Sequence, residues 1–112
     1  MQHNIKSCLK DIELSIQEIY DFVPEPRKFI DFQKDLKTKK AVERNIEIIG
    51  EAMDRILKLN PEIMISDSRK IVETRNRIIH GYDSVSADVL WLIVINYLPL
   101  LESEIKSLLQ TL

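Results

Sequence analysis

Between Glu73 and Ser84 the chain reads ETRNRIIHGYDS, and residues 75 to 82 hold two arginines, an asparagine, a histidine, a glycine and a tyrosine. The chemistry open to this set is narrow. His80 can take or give a proton near neutral pH. Arg75 can hold a phosphate through paired hydrogen bonds and stabilise charge as it builds on the oxygens. Those two roles suffice for metal-free cleavage of RNA, because the substrate's own 2′-hydroxyl is the nucleophile. Five helical residues turn by about 500°, so positions 75 and 80 lie roughly 140° apart on an unbroken helix. They converge only if the helix loosens or ends near His80, a freedom that Gly81 supplies. Arg77 lies three residues before His80 and four after Glu73, within reach of both. The same residue types also have ordinary uses: a histidine at a helix end caps carbonyls or meets solvent, and an arginine pairs with a carboxylate. Composition and spacing alone leave both readings open.

Other chemistries lack their residues. No carboxylate pair stands at catalytic spacing, and the second histidine, His3, lies near the amino end. With no cysteine cluster, a dedicated metal site is not expected, and no cofactor is implied. No glycine-rich phosphate loop occurs.

The elements that must position these side chains read as helices. Ile5, Leu9, Ile12, Ile16, Ile19 and Val23 alternate spacings of four and three, one stripe of a helix that Pro24 and Pro26 terminate. Residues 27 to 35, with Phe29, Ile30 and Phe32, fit a short helix or an ordered connector. A second long helix is predicted from about Thr38 to Asn60, with Val42, Asn45, Ile46, Ile49, Ala52, Met53, Ile56 and Leu59 on one face and Pro61 as its stop. Ser66, Asp67 or Ser68 is placed to cap the helix RKIVETRNRIIH, in which Arg75 interrupts an apolar face of Ile71, Val72, Ile78 and Ile79. Ser86 caps a last helix from Ala87 to Leu109, where Pro99 predicts a kink because the stripe continues past it.

This pattern predicts a single all-α domain over residues 1–112, a bundle of four to five antiparallel helices. The 112 residues are 45% apolar and 30% charged, enough to bury a core without disulfide or metal. Only Gly50 and Gly81 are glycines, which disfavours a sheet with many tight turns. The lone cysteine, Cys8, reads as a small core residue. The apolar stripes are wide for so small a bundle, and a homodimer through helix faces is expected. The net charge of −2 excludes bulk electrostatic coating of nucleic acid but allows a local basic cleft. KDLKTKK, residues 34 to 40, is a solvated helix start or a track for RNA backbone. No apolar run approaches the ~20 residues of a membrane span, and the opening MQHNIKSCLKD is no signal peptide, so a cytoplasmic protein is expected.

RNRIIHGY resembles the Arg-x4-His-x-Tyr signature of HepT-like toxins, within the HEPN superfamily of helical ribonucleases. AVERNIEIIGEAMDRI (41–56) resembles that family's second conserved helix, DVLWLIVINYLPLLESEI (88–105) its final helix with the internal proline, and CLKDIELSIQEIYDFV fits its opening. The resemblance implies a HEPN-like bundle that dimerises and cuts RNA without metal. Arg75 and His80 match the catalytic pair, with two copies of the motif lining a cleft between subunits. It also implies an MntA-like nucleotidyltransferase antitoxin as partner, transferring AMP to the tyrosine that matches Tyr82. A nucleotide two residues from His80 would repel and occlude an RNA phosphate.

Supporting positions follow from the residues. Asn76 is placed to orient RNA or a neighbouring side chain. Asn45, an amide on an apolar face, needs partners and is a candidate to support the motif helix. Glu51 is a candidate partner for a motif arginine. For both, purely structural polar contacts are the alternative. Trp91 and Tyr97 are expected in the core or the dimer seam, with Trp91 as an RNA-stacking platform the bolder alternative. The competing function is a non-catalytic helical module that scaffolds a nucleotidyltransferase, which would not need Arg75, His80 and Tyr82 together.

Overall fold

The computed structural model describes residues 4–81 and 85–112. Its helices are α1 (Ile5–Phe22), α2 (Phe29–Lys34), α3 (Leu36–Leu59), α4 (Ser68–His80), α5 (Ala87–Leu92) and α6 (Leu98–Thr111), with no strand among the described residues. A π-helical turn, Ile93–Tyr97, joins α5 to α6. No helix is long and apolar enough to cross a membrane, among the described residues.

α1, α3 and α5 each begin at a side-chain cap. The Asn4 side chain accepts from the Ser7 N–H at 2.8 Å while Ser7 Oγ accepts from the Asn4 N–H at 3.2 Å, a reciprocal box that satisfies two otherwise orphaned donors. α1 ends at Phe22, just before Pro24. Asp35 opens α3 by accepting from the Thr38 hydroxyl at 2.6 Å and its N–H at 3.1 Å, bonds that hold the Asp35 carboxyl below its ordinary range. Ser86 opens α5 by accepting from the Val89 N–H at 3.3 Å. The short helix expected between residues 27 and 35 is α2, which buries Phe32. The start of α4 differs from expectation. Asp67 occupies the cap position in the left-handed region (φ 54°) and makes no side-chain cap bond; its carboxylate faces Lys70 at 3.8 Å.

What anchors α4 instead is a clamp from the last helix. Glu104 accepts from the Ser66 N–H at 3.0 Å and from its hydroxyl at 2.7 Å. The Tyr97 hydroxyl donates to the Ser66 carbonyl at 2.8 Å. Burial, then the nearby Glu104 and Asp67 carboxylates, push the Tyr97 phenol well above its ordinary range, so it stays a donor. Hydrogen bonds to a charged group contribute about 1.5–3 kcal/mol. Glu104→Ala is therefore expected to lower the unfolding free energy by about that amount in urea titration, and Glu104→Gln by less.

The kink expected at Pro99 takes a specific form. Proline has no N–H for the Ile95 carbonyl, and its ring crowds that group. The ladder widens just ahead of it, with the Leu98 N–H reaching back five residues to the Ile93 carbonyl. Wider turns of this kind relieve such strain without ending a helix. The buried stripe continues through it as Leu90, Val94, Leu98, Leu101 and Ile105.

The core sits where α1, α3 and α6 meet. Cys8, Leu9, Ile12, Ile16 and Ile19 of α1 pack with Val42, Ile46, Ile49, Met53 and Ile56 of α3 and with the α6 stripe. Cys8 is buried, and burial raises its thiol above the ordinary range, leaving a weakly reactive core residue. Trp91 packs its ring against Phe29 and Phe32, with centroids 5.8 and 5.3 Å away, which ties α2 to α5. α4 is the outlier. Ile71 is its buried residue, and Ile79 is half exposed.

Candidate active site

Gly50 brings the motif helix onto its support. α4 lies antiparallel on α3, with Arg69, Val72 and Glu73 opposite Asp54, Leu57 and Lys58. A Cβ at Gly50 would collide with Arg75 Cβ and stand 2.8 Å from the Ile71 carbonyl oxygen. Only a residue without a side chain allows two helix backbones this close. The close approach puts Arg75 in the groove between the helices, where its side chain is only 18% exposed. That placement explains the polar residue on the apolar face of α4: the position faces a neighbouring helix at short range, and the guanidinium finds charge there.

The charge comes from Asp54. Arg75 Nη2 lies 3.6 Å from Asp54 Oδ2, while Arg75 Nη1 donates to Asn76 Oδ1 at 2.7 Å. Lys58 Nζ stands 3.0 Å from the same Asp54 oxygen. The groove beside this cluster has a volume of about 340 Å³ and an apolar floor of Leu57 and Val72. Asn76 thus accepts a hydrogen bond from the side chain of its chain neighbour. Glu51 pairs with Arg55 at 3.2 Å, four residues along its own helix, and the carboxylate beside Arg75 is Asp54. Asp54 carried no sequence signal apart from its spacing, one turn after Gly50. The Asn45 amide is buried and donates to the Ala41 carbonyl at 3.0 Å; its Oδ1 is buried without a partner among the described residues. Its contact is with its own helix.

His80 is the last residue of α4 and is exposed. Gly81 closes the helix with φ 66°, and its N–H donates to the Arg77 carbonyl at 3.1 Å. The left-handed glycine expected just past the helix end is present. Arg77 lies exposed in the same last turn, where a helix carboxyl end favours cations. Tyr82 lies outside the described residues. The Arg75 guanidinium reaches toward Asp54, which lines the groove with Arg69, Val72 and Glu73 of α4.

A family model described as "Ribonuclease HepT-like" matches residues 12–108, a span that includes the groove, Arg75 and His80. The chain belongs to the HepT-like ribonuclease family. The "Probable ribonuclease HepT" of Thermococcus cleftensis is 38% identical over 112 residues, covering 96% of this chain and 98% of the relative. Proteins carrying the name RNase from Methanocaldococcus jannaschii and Caldanaerobacter subterraneus are 32% and 34% identical. These alignments cover 96% and 95% of this chain and 88% and 91% of the relatives. No solved structure matches the chain significantly. For a HepT-like chain, the resemblance in the motif extends to nearly the whole helical frame.

Proposed function

We propose that this chain is a metal-independent endoribonuclease toxin that cuts RNA with Arg75 and His80 in a cleft between two copies. The observation that carries the reading is the held guanidinium. Arg75 is fixed in a groove by Asp54 and Asn76, five residues before the helix-terminal His80, in a chain of a ribonuclease family. Within one copy the guanidinium is engaged by Asp54 and Asn76, and in this reading a second copy completes the site. The exposed apolar residues Ile79, Leu92, Ile95 and Leu100 support that pairing: they stand on α4 and on the last helix, which lies beside it.

In the reaction the 2′-oxygen attacks the scissile phosphorus and the bond to the 5′-oxygen breaks. His80 moves a proton between these oxygens and itself, and Arg75 stabilises the charge gathering on the non-bridging oxygens. The products are a 2′,3′-cyclic phosphate and a 5′-hydroxyl. An MntA-like antitoxin adding AMP to Tyr82 would place phosphate charge and bulk two residues from the imidazole and silence the site. In this reading the protein works in the cytoplasm.

Purified protein incubated with single-stranded RNA and EDTA is expected to yield cyclic-phosphate ends, and loss of cutting on chelation would rule out the metal-free route. Intact-mass measurement after co-expression with the antitoxin is expected to show one added AMP, removed by Tyr82→Phe. An unchanged mass would count against regulation by AMP transfer.

A further inference from the structure

We infer that Asp54 is the positioning residue for Arg75, the group that presets the guanidinium for an RNA phosphate. The inference rests on the proposed RNA cleavage by this site. Asp54 stands one helical turn after Gly50, on the stretch of α3 that the missing side chain opens to α4. Its Oδ2 lies 3.6 Å from Arg75 Nη2, beyond hydrogen-bond length, while Asn76 Oδ1 takes Nη1 at 2.7 Å. One terminal nitrogen is thus hydrogen-bonded to an amide oxygen and the other stands at ion-pair distance from a carboxylate on the facing helix, and most of the five guanidinium donors remain for a substrate.

A carboxylate beside a phosphate-binding arginine has two opposed uses. It can hold the side chain ready, or it can compete with the phosphate and act as a latch. The surroundings of Asp54 favour the first. Lys58 Nζ sits 3.0 Å from the same oxygen and offsets its charge, which weakens both its grip on Arg75 and its repulsion of a phosphate. Arg75 is 18% exposed, so its long side chain is already ordered in the free protein. An arginine ordered before substrate arrives loses less freedom on gripping a phosphate. Asp54 itself acts through Arg75 and touches no reacting atom.

The test compares wild type with Asp54→Ala, Asp54→Asn and Asp54→Glu on one short single-stranded RNA, with thermal midpoints recorded for each. Misplacement of a reacting group by 1 Å costs up to about 100-fold in rate. Asp54→Ala is expected to lower kcat by about 10–100-fold with KM within about 3-fold and the thermal midpoint unchanged. Asp54→Asn, which keeps the shape and loses the charge, falls between, and Asp54→Glu recovers most of the rate. A fully active or faster Asp54→Ala enzyme overturns the inference, as does a loss of midpoint that Asp54→Glu fails to restore. Should the wild-type protein cut no RNA, the proposed function has failed and the positioning contact is judged separately by NMR. Hindered rotation of the Arg75 guanidinium in wild type, released in Asp54→Ala, sustains it; free rotation in wild type overturns it.

Discussion

His80→Ala is expected to lower the RNA cleavage rate by about 100- to 10,000-fold, the usual contribution of a proton-transfer group. Arg75→Ala is expected to lose about 100- to 1,000-fold, the cost of removing one donor that meets developing charge. Single-turnover cleavage of a labelled oligonucleotide measures both. Neither change should unfold the protein. His80 is exposed at a helix end, and Arg75 contributes one long-range ion pair rather than core volume. Arg75→Lys should recover little, because an ammonium cannot bond Asn76 Oδ1 and a phosphate with the geometry of a planar fork. Wild-type rates in His80→Ala would remove the imidazole from the chemistry. Wild-type growth on inducing the native protein alone would favour the competing helical scaffold. Mixing His80→Ala with Arg75→Ala subunits tests the shared cleft: if each site takes its arginine and histidine from different copies, the mixture regains part of the activity.

The second large effect is expected at Gly50, a position with no role in the chemistry. Gly50→Ala would ordinarily stabilise a helix by about 1 kcal/mol through propensity. Here the new methyl collides with Arg75 Cβ and lies 2.8 Å from the Ile71 carbonyl oxygen. Both are fixed parts of α4 rather than ends of flexible side chains, so the helix must move. Overpacking costs about 1–3 kcal/mol, and it outweighs the propensity gain. A net loss of about 1–2 kcal/mol is expected for Gly50→Ala in urea unfolding, more for Gly50→Val, whose extra methyls widen the clash. Activity should fall further than stability. Displacing α4 outward separates Arg75 from Asp54, and a shift near 1 Å is enough to cost about 100-fold in rate. A stable, fully active Gly50→Val protein would show that the close approach of the two helices is dispensable.

Both effects depend on how α4 is mounted. It buries little of its own, with Ile71 as its buried residue. It is held by Gly50 from α3 and by Glu104 and Tyr97 through Ser66 from the last helix. The motif helix is thus placed by its packing on α3, where Ile71 is buried and Val72 and Ile78 are partly buried, together with these specific contacts. The Glu104 variant acts on the approach to the amino end of the helix and the Gly50 variant on its middle.

Much of this was legible in the chain. The period of Leu9, Ile12, Ile16 and Ile19 dictates a helix with one buried face, and those residues are fully buried. Pro24 and Pro61 end helices because each removes a donor and crowds the preceding turn. Gly81 adopts the left-handed conformation that its place past a helix end predicts. Motif and frame together pointed to the ribonuclease family to which the chain belongs. These features are local: they depend on residues within one or two turns of each other, and the sequence alone determined them. The partner of Arg75 is of another kind. Glu51 and Asp54 are both acidic, both on α3 and three residues apart, and nothing in their spacing says which one meets the motif helix. The crossing of α4 over α3 decides it, and Gly50 sets how close that crossing is. In the same way, Ser66 reads from the chain as one of three candidate caps, and the fold brings Glu104, 38 residues away, to its N–H and hydroxyl. Periodicity reports which side of a helix is buried; which charges meet across the gap depends on the separation and angle of two helices, and only the packed chain contains those.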